Sequence, residues 1–196
     1  MTKTTSRKKK SQIIRDLIEQ SNDADKINLL GEFLSISADL HTTKMNKFNR
    51  SLPLSEYFVD RWERAQLLGF AEGVSIYDSA TVIGNVSVGC ETWIGPNVIL
   101  DGSGGLEIGS HCSISANVQI YTHDTVDWAT SGGEQGYRYG RTKIGDNCYI
   151  GPNSVIERGV MVGDGAIIGA NSFVNKDVKK GTKVGGNPAR VIQGRY

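Results

Sequence analysis

The chain has 196 residues, enough for one domain or one domain with a small appendage. Its formal charge of +1 offers no global field for nucleic acid or an acidic membrane surface, and its apolar runs are too short to span a bilayer. Glycine is abundant at 24 residues and proline scarce at 4, which argues against a disordered linker and predicts many tight corners that need positive φ. No apolar stretch follows the first charges, so no signal peptide is expected. Cys90, Cys112 and Cys148 form no CxxC and cannot all pair, which fits a reducing, cytoplasmic location.

Residues 1–10 hold Arg7, Lys8, Lys9 and Lys10 amid Thr and Ser and read as a flexible basic tail. Residues 11–72 read as a helical N-terminal region of two or three helices. Ile13 and Leu17, with Ile14 and Ile18, fall at i, i+4 spacing and make one apolar face. Ser21 or Asn22 can end that helix, and Asp23 can cap the next. Ile27, Leu30, Phe33 and Leu34 continue a helical stripe. Pro53 suits a first helical position ahead of Tyr57, Phe58, Trp62, Ala65 and Leu68, and Gly69 supplies a stop.

The register changes near residue 74. Apolar residues then recur every sixth position: Ile76, Val82, Val88, Ile94 and Leu100; Ile108, Ile114 and Ile120; and Ile144, Ile150, Ile156, Val162, Ile168 and Val174. Gly89, Gly95, Gly109, Gly145, Gly151, Gly163 and Gly169 each follow one of them. Four residues after most of them stands something small or β-branched, such as Thr92, Val98, Cys112, Val118, Cys148, Ser154, Ala166, Ser172 and Val178. Gly104 and Asp124 fail this rule where the period itself is interrupted. A six-residue repeat predicts a mainly β fold, a parallel β-solenoid over 73–185 of about five triangular coils. Each hexad supplies one short strand and one corner, with the large residue inside. Cys112 and Cys148 then occupy the small interior slot as packing residues. Residues 186–196 form a C-terminal segment.

Two insertions break the period. Leu100 to Ile108 is eight residues rather than six, through Asp101-Gly-Ser-Gly-Gly. Ile120 to Ile144 is twenty-four residues and contains a loop, 121–143, with His123, Asp124, Asp127, Trp128, Glu134, Tyr137, Arg138, Tyr139 and Arg141. Insertions in a solenoid map to loops, and a loop on a rigid prism is the natural place for chemistry.

The run Ile120-Tyr-Thr-His-Asp, the long loop, then Lys143-Ile-Gly-Asp-Asn-Cys-Tyr-Ile-Gly-Pro-Asn-Ser-Val-Ile resembles the hexapeptide-repeat acyltransferases. So does the ending Val174-Asn-Lys-Asp with Gly185-Gly-Asn-Pro-Ala-Arg-Val-Ile. The nearest subgroup is the galactoside/maltose O-acetyltransferase-like sugar acetyltransferases, and the resemblance covers roughly 74–192. It implies a left-handed parallel β-helix, a homotrimer with sites between subunits, and transfer of an acetyl group from acetyl-CoA to a sugar or nucleotide-sugar acceptor in polysaccharide or glycan biosynthesis. The longer helical N-terminus departs from the galactoside enzymes, so acceptor identity does not transfer.

The resemblance places the catalytic base at His123, at the start of the large loop. A sugar hydroxyl is a poor nucleophile until its proton is taken, and histidine as a residue type titrates near neutrality. Direct attack with no covalent enzyme intermediate is implied. A base needs an orienting acceptor on its other ring nitrogen; Asp124, Asp127 and Asp101 are the candidates. By resemblance Asn97 and Asp101 help hold the acceptor or the histidine; Asp124 joins them as a near neighbour in sequence, and Trp128 can wall the acceptor because aromatic faces pack against sugar rings. Trp128 equally fits a hydrophobic anchor for the loop. For acetyl-CoA the resemblance implies Tyr149, Gly151, Pro152 and Ala170 along the pantetheine track, and Asn175, Lys176 and Arg190 near the phosphates. An oxyanion donor is expected from a backbone N–H such as that of Gly151 or its neighbour. No metal is expected: the γ-class carbonic anhydrases share the repeat but need three zinc histidines, two of them five apart, and His41, His111 and His123 lack that spacing. His111 reads as surface. The other readings are N-acetylation of a nucleotide-linked amino sugar and a non-catalytic β-helix scaffold. Serine acetyltransferases also carry N-terminal helices, but their loop pattern fits less well.

Overall fold

The computed structural model describes residues 24–193, which fall into two compact units that divide between Phe58 and Val59. The basic tail, the stripe of Ile13, Ile14, Leu17 and Ile18, and the cap at Asp23 lie outside the described residues.

In the first unit, α1 (Ala24–Phe48) carries Asp25 in its first turn and Lys47 in its last, each at the end of the helix dipole that favours it. Ile27, Leu30 and Leu34 are partly covered, whereas Leu29 and Ile36 are exposed. Phe33 stacks on Phe58 at 5.8 Å between centroids, and the Leu52 amide donates to the Tyr57 hydroxyl at 2.9 Å. The sequence predicts one helix after Pro53. There are two, α2 (Ser55–Phe58) and α3 (Arg61–Leu67), because Asp60 turns extended and its carboxylate accepts from the amides of Trp62 and Glu63. Gly69, at φ 74, ends α3 as expected. Although α3 lies within the stretch read as a helical appendage, it belongs to the second unit: the Arg64 guanidinium donates to the carbonyls of Tyr77 and Ala80 on the first coil.

From Val74 onward the chain is a parallel β-helix. On its first side Ser75–Ile76, Trp93–Ile94, Ser113–Ile114, Tyr149–Ile150, Ile167–Ile168 and Lys183–Gly185 stack in register. The second side stacks the beginnings of Thr81–Val88 and Ile99–Ile108 with Gln119–Ile120, Val155–Ile156 and Phe173–Val174. The third stacks the ends of those two long strands with Thr142–Ile144, Met161–Val162 and a bridge to Val178. The first side is thus one rung deeper than the five coils predicted. The repeat hides that rung because the last coil is short: Ile168 pairs with Val184, two residues sooner than Ile150 pairs with Ile168. Val178, expected in a small slot, instead stands on the third side opposite Val162.

The large repeat residues form continuous interior ladders, with Ile76, Ile94, Ile114, Ile150 and Ile168 all fully buried. Each contributes roughly 1.5–3 kcal/mol of apolar burial. The small slots face a glycine carbonyl one coil on. Thr92 donates to Gly109 at 2.8 Å, Cys112 to Gly145 at 3.1 Å, Cys148 to Gly163 at 3.3 Å and Ser154 to Gly169 at 2.9 Å. Contact with the Cys148 thiol and burial push the Cys112 thiol far above its ordinary range, so it stays a donor. Where Gly104 and Asp124 break the slot pattern, buried Leu106 and Thr142 fill it, each two residues before the next large residue.

The glycines divide into two groups: some, such as Gly73, Gly159, Gly165 and Gly181, take the positive φ expected of them. Those following the large residues are absent from the positive-φ set; their restriction is the next coil. A Cβ on Gly151 would lie 2.6 Å from the Ala170 nitrogen, and one on Gly163 2.5 Å from the Lys180 nitrogen. Other left-handed corners are held by Asn97, Asn117, Asn147, Asn153 and Asn171, with Glu91 and His111.

Candidate active site

The two interruptions meet. The extra residues after Asp101 bulge out of register between the second and third sides, and the large loop leaves the corner one coil further on. Thr122 locks the two together. Its hydroxyl donates to the Asp101 carbonyl at 2.7 Å and accepts the Gly104 amide at 2.8 Å.

Asp101 is 1% exposed yet fully engaged. One carboxylate oxygen accepts from the Ser103 amide at 3.0 Å and hydroxyl at 2.6 Å. The other accepts from the amides of Thr122 at 2.9 Å and His123 at 3.2 Å, and lies 2.6 Å from His123 Nδ1. Burial pushes this carboxyl upward, but the Ser103 hydroxyl, the Thr122 amide and the His123 ring outweigh it and hold it well below the usual carboxylate range. An ionised carboxylate only accepts, so Nδ1 of His123 must be the donor. In the neutral ring that leaves Nε2 as a free acceptor. Of the three orienting candidates, Asp101 therefore makes the contact with the ring.

Asp124 is engaged elsewhere. The loop leaves and returns as an antiparallel ribbon pairing His123 with Tyr139 and Asp124 with Arg138. Asp124 accepts from Arg158, from Arg138 at 2.9 and 3.0 Å, and from the Val126 amide at 3.0 Å. The Arg158 guanidinium, opposed by burial and aided by Val126 and Arg138, holds its carboxyl at about 2. Asp127 pairs with Arg138 at 3.3 Å. Between the ribbon and the second side lies a cleft of about 410 Å³, lined by residues including His123, Asp124, Arg138, Val155, Arg158 and Phe173. Trp128, on the short helix α4 (Val126–Thr130), meets Tyr137 edge-on at 6.1 Å and does not line this cleft.

Other expected site residues lie apart. Asn97 is a left-handed corner between the first and second sides, its amide donating to the Ser79 hydroxyl at 3.3 Å, and does not line the cleft at His123. Tyr149, Gly151 and Pro152 lie on that same corner, with Ala170 one coil on. The Gly151 amide donates to the Ile168 carbonyl at 2.8 Å and Pro152 has no N–H, so neither can be the oxyanion donor expected there. Asn175, Lys176 and Arg190 gather around one cavity of about 200 Å³ at the end of the β-helix. His111 is exposed, as read. Thr122, Ser103 and Arg158 were not singled out in the sequence; only the position of Thr122 beside His123, and of Ser103 inside the first insertion, hinted at them. Among the described residues no group of three His, Cys, Asp or Glu side chains converges on a metal site.

Residues 141–176 match the family of bacterial transferase hexapeptide repeats, six repeats. Protein CapG of Staphylococcus aureus is 45% identical over 92 residues, which cover 45% of this chain and 52% of CapG. The hexapeptide-repeat containing acetyltransferase VCA0836 of Vibrio cholerae superposes with a TM-score of 0.62 at 28% identity, over 83% of this chain and 92% of that one. A maltose O-acetyltransferase of Clostridium difficile 630 gives 0.54 at 29% identity, over 83% and 88%. The chain thus shares its hexapeptide repeat with bacterial transferases over 141–176, and its β-helix is similar to those of solved hexapeptide-repeat acetyltransferases. It spans about half the length of the curated relatives it matches. No helix among the described residues is long and apolar enough to cross a membrane.

Proposed function

We propose that this protein moves an acetyl group from acetyl-CoA to a sugar hydroxyl, in the building of a polysaccharide or glycan, with His123 as general base. The observation that carries the reading is the 2.6 Å contact between His123 Nδ1 and a buried, ionised Asp101 at the mouth of the large loop. This pairing fixes the tautomer that presents Nε2 as a proton acceptor, which a merely structural loop histidine does not require. Nε2 takes the hydroxyl proton as the acceptor oxygen attacks the thioester carbonyl of the bound substrate. The resulting imidazolium is stabilised by the Asp101 carboxylate and returns the proton to the departing thiolate. Lys176 and Arg190, with Asn175, are suited to the phosphates of the acetyl-CoA substrate because they surround one cavity with charge and forked donors.

The active form in this reading is a homotrimer. Outward-facing residues on the first side include Trp93, Tyr149 and Ile167, and on the second Ile99, Val155 and Phe173; on the third they include Ser87, Glu107 and Lys143. The first two faces carry large apolar residues among Ser113, Lys183 and Gln119, and the third carries the charged ones, which suits a prism that packs against neighbours on two sides.

His123→Ala should lower transfer by about 10²–10⁴-fold while leaving the melting temperature and acetyl-CoA binding near wild type. Thiol release with a panel of sugars measures the rate. Near-normal turnover by this variant would sink the mechanism.

A further inference from the structure

The ribbon that carries His123 has two unlike faces. Residues directly opposite one another in an antiparallel pair share a face, and neighbours alternate. Asp124 and Arg138 therefore share the face bound to Arg158, while His123 pairs with Tyr139 and stands at the edge between the two faces, where it also lines the cleft. Tyr137, two residues before Tyr139, joins that pair. The Tyr139 ring lies 6.1 Å from the imidazole at an interplanar angle of 28°, and the Tyr137 ring 6.5 Å away at 38°. Trp128 closes against Tyr137 at 84°. Yet Tyr139 is 57% exposed and Tyr137 48%, and neither lines the cleft on the salt-bridged side. Exposed aromatic rings clustered beside a proton acceptor are costly to leave in water and match the C–H face of a pyranose.

We infer that Tyr137 and Tyr139 form the acceptor platform, on which the sugar ring rests so that one hydroxyl meets His123, leaving the cleft beside Val155 and Phe173 for the acyl donor. This rests on the sugar-acceptor reading above. The ligand class is a neutral or amino pyranose held by ring contact. The guanidiniums of Arg138 and Arg158 are already engaged by Asp124, so an anionic group on the acceptor is not required.

The test measures Tyr139→Ala, Tyr137→Ala and their Phe counterparts against acetyl-CoA with maltose, a methyl galactoside and glucosamine as acceptors. Each Ala variant should raise the acceptor KM about tenfold, with the acetyl-CoA KM within about twofold of wild type. Each Phe variant should restore the acceptor KM, because the ring face and not the hydroxyl makes the contact. An unchanged acceptor KM in both Ala variants overturns the platform while leaving the acyltransferase reading intact. So does a parallel rise of both KM values with a smaller particle mass by light scattering, which would assign the rings to contact with a second copy of the chain. Wild-type protein that acetylates none of the sugars overturns the acceptor reading itself, and the platform with it.

Discussion

Asp101 and His123 stand 22 positions apart and meet because two insertions sit one coil apart on the same corner. Asn at position 101 could accept on one side only, and its amide would oppose either the Ser103 donors or the Thr122 and His123 donors. Asp101→Asn should therefore cut kcat by about 100-fold or more, with a smaller effect on the acetyl-CoA KM. The same change should cost about 2 kcal/mol of stability at neutral pH, measured by urea melts. The sign follows from the depressed carboxyl. Its contribution is complete above the unfolded carboxyl range, near pH 4, and is lost as pH falls through the still lower folded value. The gap between wild type and variant should thus be full at pH 7 and close only in acid. His123 was legible in the sequence as a histidine at the start of the only long break in the repeat. Its partner was legible only as one of three carboxylates, since Asp124 and Asp127 are nearer in sequence than Asp101 and nothing in composition says that Arg138 and Arg158 claim them.

At the scale of the hexad, the period revealed the stacked strands because every large repeat residue must face the interior. It gave the glycines one cause where there are two. Low proline and high glycine suggested positive-φ corners, but Asn97, Asn117, Asn147, Asn153 and Asn171 hold many of those, while glycines such as Gly163 are demanded by the neighbouring coil. Corner asparagines were in plain view three residues after Ile94, Ile114, Ile144, Ile150 and Ile168, without a steric argument to give them meaning. Two substitutions separate the causes. Gly163→Ala should destabilise by about 1–3 kcal/mol, because its Cβ meets backbone at 2.5 Å and nothing there can yield cheaply. Gly165→Asn should be near neutral: Gly165 sits at φ 65 with its nearest neighbour 4.0 Å away, in the conformation the corner asparagines already adopt. Denaturant melts that ranked these two in reverse would show that conformation, and not coil contact, sets the glycine positions.

For the whole molecule, the repeat specifies the inside of the prism and leaves its outside free, so the outer residues record what each side touches. Strands expose alternate residues, and the outer register runs Trp93, Ser113, Tyr149 and Ile167 down the first side but Ser87, Glu107, Lys143 and Met161 down the third. Trp93 is 64% exposed in the single chain, a large apolar area to leave in water. On the third side Glu107 instead pairs with Arg141 and Lys143, an arrangement at home in solvent. If the first side is a subunit contact, light scattering should give a particle of about three times 21.3 kDa. Trp93→Glu combined with Ile167→Glu would bury two unpaired charges in that contact and should shift the protein to single chains at micromolar concentration. Lys143→Glu, on the charged side, should leave the mass unchanged. If the proposed trimer completes each site between two prisms, the double variant should also lose transfer while keeping the His123–Asp101 pair, and a monomer of undiminished activity would show that one chain builds the whole site.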